Sequence, residues 1–219
     1  MNRALKRLAP PVAVAILALL FWDTVVVYPL RVFVVFLHEI SHGIAAALTG
    51  GRIVAIGLTV DEGGVCVTEG GSRFLILNAG YLGSLFWGAL FLVLSARTRW
   101  SREIVGFVGV FVLLVTVLYI RSLFGVLWGL ASGAALVLAA VKLSREVTDD
   151  LLQAIGVVSC LYAVWDIGSD VLTRHAAGSD ASALGRLTGI PSLVWGLAWV
   201  VLSFVVVLAA LRLVARGGR

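Results

Sequence analysis

The hydrophobic positions of this chain fall into long apolar runs, which are separated by short polar or glycine-containing segments. A helix needs about 20 mainly apolar residues to cross a bilayer, and most of the chain is used up in runs of this kind. The pattern therefore predicts an all-α polytopic membrane protein with about seven transmembrane helices. The predicted spans are roughly 11–28, 31–49, 74–95, 104–120, 122–141, 151–172 and 191–214.

One segment, between the second and third spans, breaks the helical pattern. Residues 52–60 and 65–68 are rich in β-branched side chains and flank the turn sequence Asp61-Glu62-Gly63-Gly64. This arrangement predicts a short β-hairpin. An open hairpin cannot face lipid, because its edge would leave backbone groups unpaired. Two interpretations stay open: a connecting loop with no role, or an exposed edge that pairs with an extended peptide.

The composition agrees with a membrane protein and changes the meaning of the charge. Hydrophobic residues make up 61% of the 219 residues and charged residues 13%, whereas globular domains carry about 25% charged residues. The net charge is +5, but Arg and Lys fall at the predicted helix ends. They are expected to contact lipid headgroups, so the bilayer is the expected partner and nucleic acid is not. Cys66 and Cys160 have no neighbouring His or Cys at ligand spacing, so neither a disulfide nor a thiolate metal site is expected.

The candidate chemistry lies in the second span, in the sequence His38-Glu39-Ile40-Ser41-His42. Residues four apart share one face of a helix, so His38 and His42 can present two imidazole nitrogens to one metal ion. Glu39 should sit beside that ion, where it can take a proton from water, as in the HExxH zinc hydrolases. A chance match is the alternative, but charged groups inside an apolar run need a partner or a function.

A catalytic zinc site normally has three protein ligands, so a third is needed. Asp166 is the preferred candidate, because it lies deep in the 151–172 span. Asp170, one turn later on the same face, is an alternative ligand or a partner of a ligating histidine. His175 and Asp180, in the polar segment that follows, also stay open.

Asn78 lies at the entry to the 74–95 span, and its amide is a candidate substrate-binding group. The alternative is a hydrogen bond to a neighbouring helix. Gly80, Ser84 and Gly88 recur every four residues in the same span, which predicts a face where two helices pack closely.

Several of these stretches resemble the site-2 protease group of intramembrane zinc metalloproteases. The likeness is carried by the 38–46 motif helix, by Thr49-Gly50-Gly51-Arg52-Ile53 after it, and by Ala79-Gly80-Tyr81-Leu82-Gly83. The resemblance implies zinc, and it implies an Asp ligand on a later span, for which Trp165-Asp166-Ile167-Gly168 is the nearest match. The sequence departs from the group in having no Asn-Pro-Pro-like run before Asp166 and no PDZ-like insertion, so it is most similar to the compact, divergent branch.

These observations predict a multi-pass zinc endopeptidase of the cell membrane that hydrolyses membrane-embedded or membrane-adjacent protein substrates. We expect one integral membrane domain over residues 1–219. Residues 30–95 supply the motif helix, the hairpin and the next span, and residues 151–172 supply the third ligand. The alternative is a non-proteolytic protein that binds or transports metal, or binds a partner, and keeps a relic zinc site.

Overall fold

The computed structural model describes residues 3–168 and 179–216, and these residues are mostly helical. The elements in chain order are α1 (Arg3–Leu20), α2 (Tyr28–Leu48), β1 (Arg52–Leu58), β2 (Gly64–Glu69), α3 (Arg73–Arg97), α4 (Ser101–Tyr119), α5 (Leu123–Lys142), α6 (Arg145–Gly168), α7 (Asp180–Thr188) and α8 (Ser192–Arg216).

Six of the described helices are long and apolar enough to cross a membrane: α2, α3, α4, α5, α6 and α8. The prediction of a polytopic all-α protein with one hairpin is confirmed. The predicted first span differs from the structure. Helix α1 ends at Leu20, well before the predicted end at residue 28, and α1 is not among the six. The reason is that α1 carries three charged residues, Arg3, Lys6 and Arg7, within its 18 residues, which is more than a membrane span of this length normally holds.

Helix α2 lies at the centre of the described fold and packs against α3, α6 and both strands. Most of its side chains are buried, including a continuous run from Val32 to Leu37 just before the histidines. Burial all round the helix explains why the sequence is apolar on every face there rather than on one stripe. The polar motif residues therefore lie inside the protein rather than against lipid.

Glycines allow the helices around α2 to approach closely. A Cβ on Gly88 of α3 would lie 3.0 Å from the Gly156 carbonyl oxygen of α6, and a Cβ on Gly109 of α4 would lie 2.9 Å from the Gly133 carbonyl oxygen of α5. Small residues at such positions let backbones pack together, as in other membrane helix pairs. The predicted packing role of the four-residue glycine spacing is thus borne out at Gly88.

The hairpin is an antiparallel pair in which Ile56 lies opposite Cys66 and Leu58 opposite Gly64. It packs along α2, and its β1 edge contacts the α4–α5 junction through a bridge between Ile56 and Ile120. The edge is therefore covered on the β1 side by protein, as expected for a sheet that cannot face lipid.

Helix α7 is a nine-residue helix that lies between the last two spans in sequence. The Ser179 hydroxyl caps its N-terminus by accepting a hydrogen bond from the Ser182 N–H. Leu184 is fully buried and packs in a cluster with Tyr81 of α3 and Trp199 of α8. This packing holds the first residue of α7, Asp180, over the middle of the fold.

Candidate metal centre

The two histidines of α2 face the same side of the helix, as their spacing predicts. His42 is 7% exposed, His38 is half-buried, and the two rings lie edge to face with centroids 4.8 Å apart. The Nδ1 atom of His42 lies 2.6 Å from the Ile76 carbonyl oxygen of α3. A carbonyl oxygen can only accept a hydrogen bond, so Nδ1 of His42 carries the proton. Its Nε2 therefore keeps a lone pair that it can donate to a metal ion.

Asp180 meets both histidines. Its Oδ2 atom lies 3.2 Å from Nε2 of His38 and 3.2 Å from Nε2 of His42. Among the residues described, no N–H reaches this buried oxygen in good hydrogen-bonding geometry. Three potential ligand atoms therefore meet at one point without hydrogen bonds of good geometry, an arrangement that a shared metal ion would complete.

The donor set fits a zinc ion. Zinc binds His nitrogens and carboxylate oxygens at about 2.0–2.2 Å in a tetrahedron, which places neighbouring ligand atoms about 3.4 Å apart. The observed separations of 3.2 Å agree with this spacing, and the three ligand atoms all lie within 4.8 Å of one another. Two neutral imidazoles with one carboxylate form a three-ligand set that leaves a fourth position for water.

The structure does not support the preference for Asp166 as the third ligand. Asp166 lies at the end of α6 on the wall of the same cavity, close enough to interact electrostatically with His38, but outside the three-residue cluster. Asp180 is the carboxylate that lies beside both histidines, because α7 packs back against α3 and α8. Asp170 and His175 lie outside the described residues.

Asn78 is also not placed as a substrate-binding residue. Its Oδ1 accepts a hydrogen bond from Trp199 Nε1 of α8 at 3.0 Å, and its Nδ2 donates to the Phe74 carbonyl at 2.9 Å. Both ends of the amide are therefore used in helix packing, the alternative that the sequence left open.

Glu39 is 5% exposed and lies under the hairpin. A Cβ on Gly64 would collide with the Glu39 carboxylate, so the strand can lie this close to the acid only with glycine at position 64. A backbone hydrogen bond from Cys66 also reaches the carboxylate. The acid is thus oriented by β2, on the side of α2 where the hairpin packs.

Gly80 is a site residue that sequence reasoning read only as packing. Its position in α3 faces the two imidazoles, and a Cβ there would collide with His38 and would lie 2.6 Å from Cε1 of His42. Any side chain at position 80 would displace the imidazole ring of His38 or of His42. The four-residue glycine spacing marked a close approach, but it could not show that the neighbouring atoms belong to ligands.

Cys66 lines the same cavity but is not suited to hold the metal. Burial, with a smaller contribution from the Glu39 carboxylate, raises the pKa of its thiol to about 12. The thiol therefore stays protonated near neutral pH, and only the thiolate is a good zinc ligand. This agrees with the sequence argument against a cysteine site.

A cavity of about 700 Å³ connects these groups. Residues of α2, α3 and α6 line it, together with the hairpin turn, β2 and the glycines after it, Ser179 and Asp180. Its size is in the range of about 300–1,000 Å³ that small-ligand and active sites occupy.

A family model described as Peptidase M50B-like matches residues 11–210 of the chain. The match covers α2, the hairpin and Asp180, that is, every residue of the cluster described above. No curated protein and no solved structure gives a significant match to the chain.

Proposed function

The chain belongs to the Peptidase M50B-like family, and from this premise we propose that it is an intramembrane zinc metalloendopeptidase. The resemblance to the site-2 protease group is thereby confirmed. Family membership and six membrane-spanning candidates support a membrane metallopeptidase. The zinc ion, the residue roles and the substrate class are our proposal.

The observation that carries the proposal is the convergence of His38, His42 and Asp180 beside a buried Glu39 in one cavity. The three ligands come from α2 and α7, while β2 orients the acid. We propose that the whole chain acts as one integral membrane domain, to which residues 30–95 contribute both histidines, the acid and the hairpin.

Each residue has a defined role in the proposed mechanism. Nε2 of His38, Nε2 of His42 and the Asp180 carboxylate would hold the zinc ion. When bound, zinc lowers the pKa of a coordinated water toward about 7 and polarises the scissile carbonyl. The Glu39 carboxylate accepts the proton of the attacking water and then donates it to the nitrogen of the leaving amine. The Ile76 carbonyl keeps the His42 ring in the required tautomer.

The substrate must present an extended segment, because a peptide bond inside a helix is shielded by the helix itself. The open edge of β2 supports this requirement. On the other strand, the Arg121 N–H donates to the Ile56 carbonyl and the Leu58 N–H donates to Ser122 Oγ, both at 2.9 Å. The backbone groups of these two β1 residues therefore point away from β2.

Two residues that lie opposite each other in an antiparallel pair direct their backbone N–H and C=O groups either both toward the partner strand or both away from it. Cys66 and Gly64, the partners of Ile56 and Leu58, therefore direct their backbone groups away from β1, and by alternation along β2 so does Thr68. The Cys66 N–H already donates to the Glu39 carboxylate, so the open part of this edge is on either side of it. All three residues line the cavity. We propose that a membrane protein substrate adds to this edge as a strand, with its scissile bond beside Glu39.

Metal dependence tests the proposed activity. We expect the purified protein in detergent to hydrolyse fluorophore-labelled β-casein, a naturally unfolded chain, and to lose this activity when zinc is removed with 1,10-phenanthroline. Added zinc should restore it, because without metal only the buried acid remains at the site. Cleavage that survives complete metal removal would contradict the proposal, as would zinc-loaded protein that leaves the casein intact.

The edge is tested by Thr68→Pro, which removes one outward backbone N–H without removing a bond to β1. We expect the KM for casein to rise about fivefold, the effect of one hydrogen bond worth about 1 kcal/mol, with a smaller change in kcat. The matched control is Thr68→Val, which keeps the N–H and the side-chain shape. Equal effects of the two substitutions would show that the side chain, not the edge, contacts substrate.

A further inference from the structure

We propose that the ion pair between Arg31 and Glu62 is a positioning contact that holds the open edge of β2 against Glu39. The inference rests on the proposed function only in taking that edge as the one that binds substrate. Glu62 lines the same cavity but lies outside the cluster of His38, His42 and Asp180, so the pair would act through the hairpin.

The pair is short and largely shielded from solvent. Arg31 Nη2 lies 2.9 Å from Glu62 Oε1, with side chains that are 13% and 18% exposed. Arg31 has two further contacts on the α1–α2 side, with the carboxylate of Asp23 at 3.4 Å and with the face of Trp22 at 5.7 Å from the ring centroid. Glu62 is the contact that comes from the hairpin.

The hairpin turn holds Glu62 in a left-handed backbone conformation. Glu62 has a φ of 59°, and it is the one non-glycine residue with positive φ in the described parts of the chain. This conformation is unfavourable for a glutamate. Hydrogen bonds between Thr59 and Gly63 close the turn around it. A strained residue persists where its surroundings hold it, and here the Arg31 guanidinium is the group that receives its side chain.

The hairpin is fastened to α2 at both ends. At its base, the Ser72 N–H donates to Thr49 Oγ1 at 2.9 Å, next to glycines 50, 70 and 71, which all have positive φ. At its tip, the Tyr28 hydroxyl donates to the Val60 carbonyl at 2.8 Å, beside the Arg31–Glu62 pair.

Gly64, which packs on Glu39, follows Glu62 by two residues. β1 is separately tied to the α4–α5 junction. The tip contact therefore fixes how closely the start of β2 approaches Glu39.

Because Arg31 is paired with two carboxylates, one of them can be removed while the other remains. Glu62→Gln removes the hairpin carboxylate but leaves Arg31 with Asp23 and the Trp22 ring, so the guanidinium is not left without compensation. Asp23→Asn is the matched control, because it removes the other carboxylate from the same arginine. Asp23 belongs to the α1–α2 connection, and its side chain is 92% exposed.

The test measures alkylation of Cys66 by N-ethylmaleimide in the full-length protein, with the labelled position located by mass spectrometry. Cys66 is half-buried on β2 and Cys160 is buried in α6, so Cys66 reports on the hairpin and Cys160 on general loosening. We expect Cys66 in Glu62→Gln to react about fivefold faster, as expected from the loss of one partly shielded ion pair. The rate should be unchanged in Asp23→Asn, and Cys160 should be unchanged in both.

A second measurement links position to catalysis. Glu62→Gln should raise the KM for labelled β-casein about fivefold with a smaller change in kcat, whereas a loss of folded enzyme would lower kcat alone. Equal Cys66 rates in wild type and Glu62→Gln would overturn the inference, as would a parallel rise at Cys160. The alkylation result does not depend on peptidase activity, so failure of the proposed function would appear separately, as absent casein cleavage.

Discussion

Glu39→Gln is expected to abolish hydrolysis of labelled β-casein while leaving the zinc content of the protein unchanged. The substitution keeps the size of the side chain and its hydrogen bond from Cys66, but an amide cannot take a proton from water. Loss of a general base lowers rates by about 10²- to 10⁴-fold. We expect the fall in kcat to lie toward the upper end of this range or beyond it. The reason is that Glu39 is the acid packed beneath β2 among the cavity-lining residues that the structure describes.

The measurement pairs a cleavage assay with metal analysis of the same purified sample. Glu103→Gln is a suitable control, since Glu103 is an exposed residue of α4 that pairs with Arg145 at 3.2 Å. It should keep both zinc and activity. A Glu39→Gln protein that holds zinc and cleaves at the wild-type rate would refute the general-base role.

The same variant separates the peptidase from the alternative of a metal-binding or metal-transporting protein. A carrier needs the three ligands but has no use for a base, so its metal flux would survive the change at position 39. The structure favours the enzyme on one physical ground: a buried carboxylate is costly to maintain, and β2 is shaped by Gly64 to lie against this one. The proposed catalysis would use a carboxylate in that position, whereas metal storage would not.

The parts of the site that were predictable from sequence are those encoded locally. The spacing of His38 and His42 fixes them on one helix face whatever surrounds the helix, and the adjacent acid follows from the same geometry. The hairpin was predictable for a similar reason, since its turn residues and β-branched strands are contiguous. Its open edge could be suspected but not located, because that depends on the contact between Ile56 and Ile120.

Asp180 could not be selected because its position depends on contacts distant in sequence. Asp166 is favoured by its depth in an apolar run, but depth in such a run does not fix the distance of a side chain from the two histidines. In the structure, Leu184 anchors α7 between α3 and α8 and so returns a polar segment to the level of the histidines. The available signal was Ser179 before Asp180, a common start for a helix. With only nine residues, α7 gave little periodicity to support it.

The choice between the two aspartates gives the second large effect. Asp180→Asn should weaken zinc binding by more than about 100-fold. Loss of a residue that only hydrogen-bonds to a metal ligand costs up to about 100-fold, and loss of a ligand itself should cost more. The charged oxygen that lies 3.2 Å from both imidazoles is lost, and a neutral amide is a poor zinc ligand. Hydrolysis should be lost with the metal. Zinc affinity is measured by competition with a chromophoric chelator.

Asp166→Asn is the matched variant, because it makes the same chemical change on the wall of the same cavity. We expect it to bind zinc within about threefold of wild type, since Asp166 lies outside the cluster of three ligand atoms and its effect on His38 is electrostatic. The reverse result, with zinc lost in Asp166→Asn and kept in Asp180→Asn, would return the third ligand to α6. It would also mean that the close contact between Asp180 and the two histidines is an ion pair rather than a metal site.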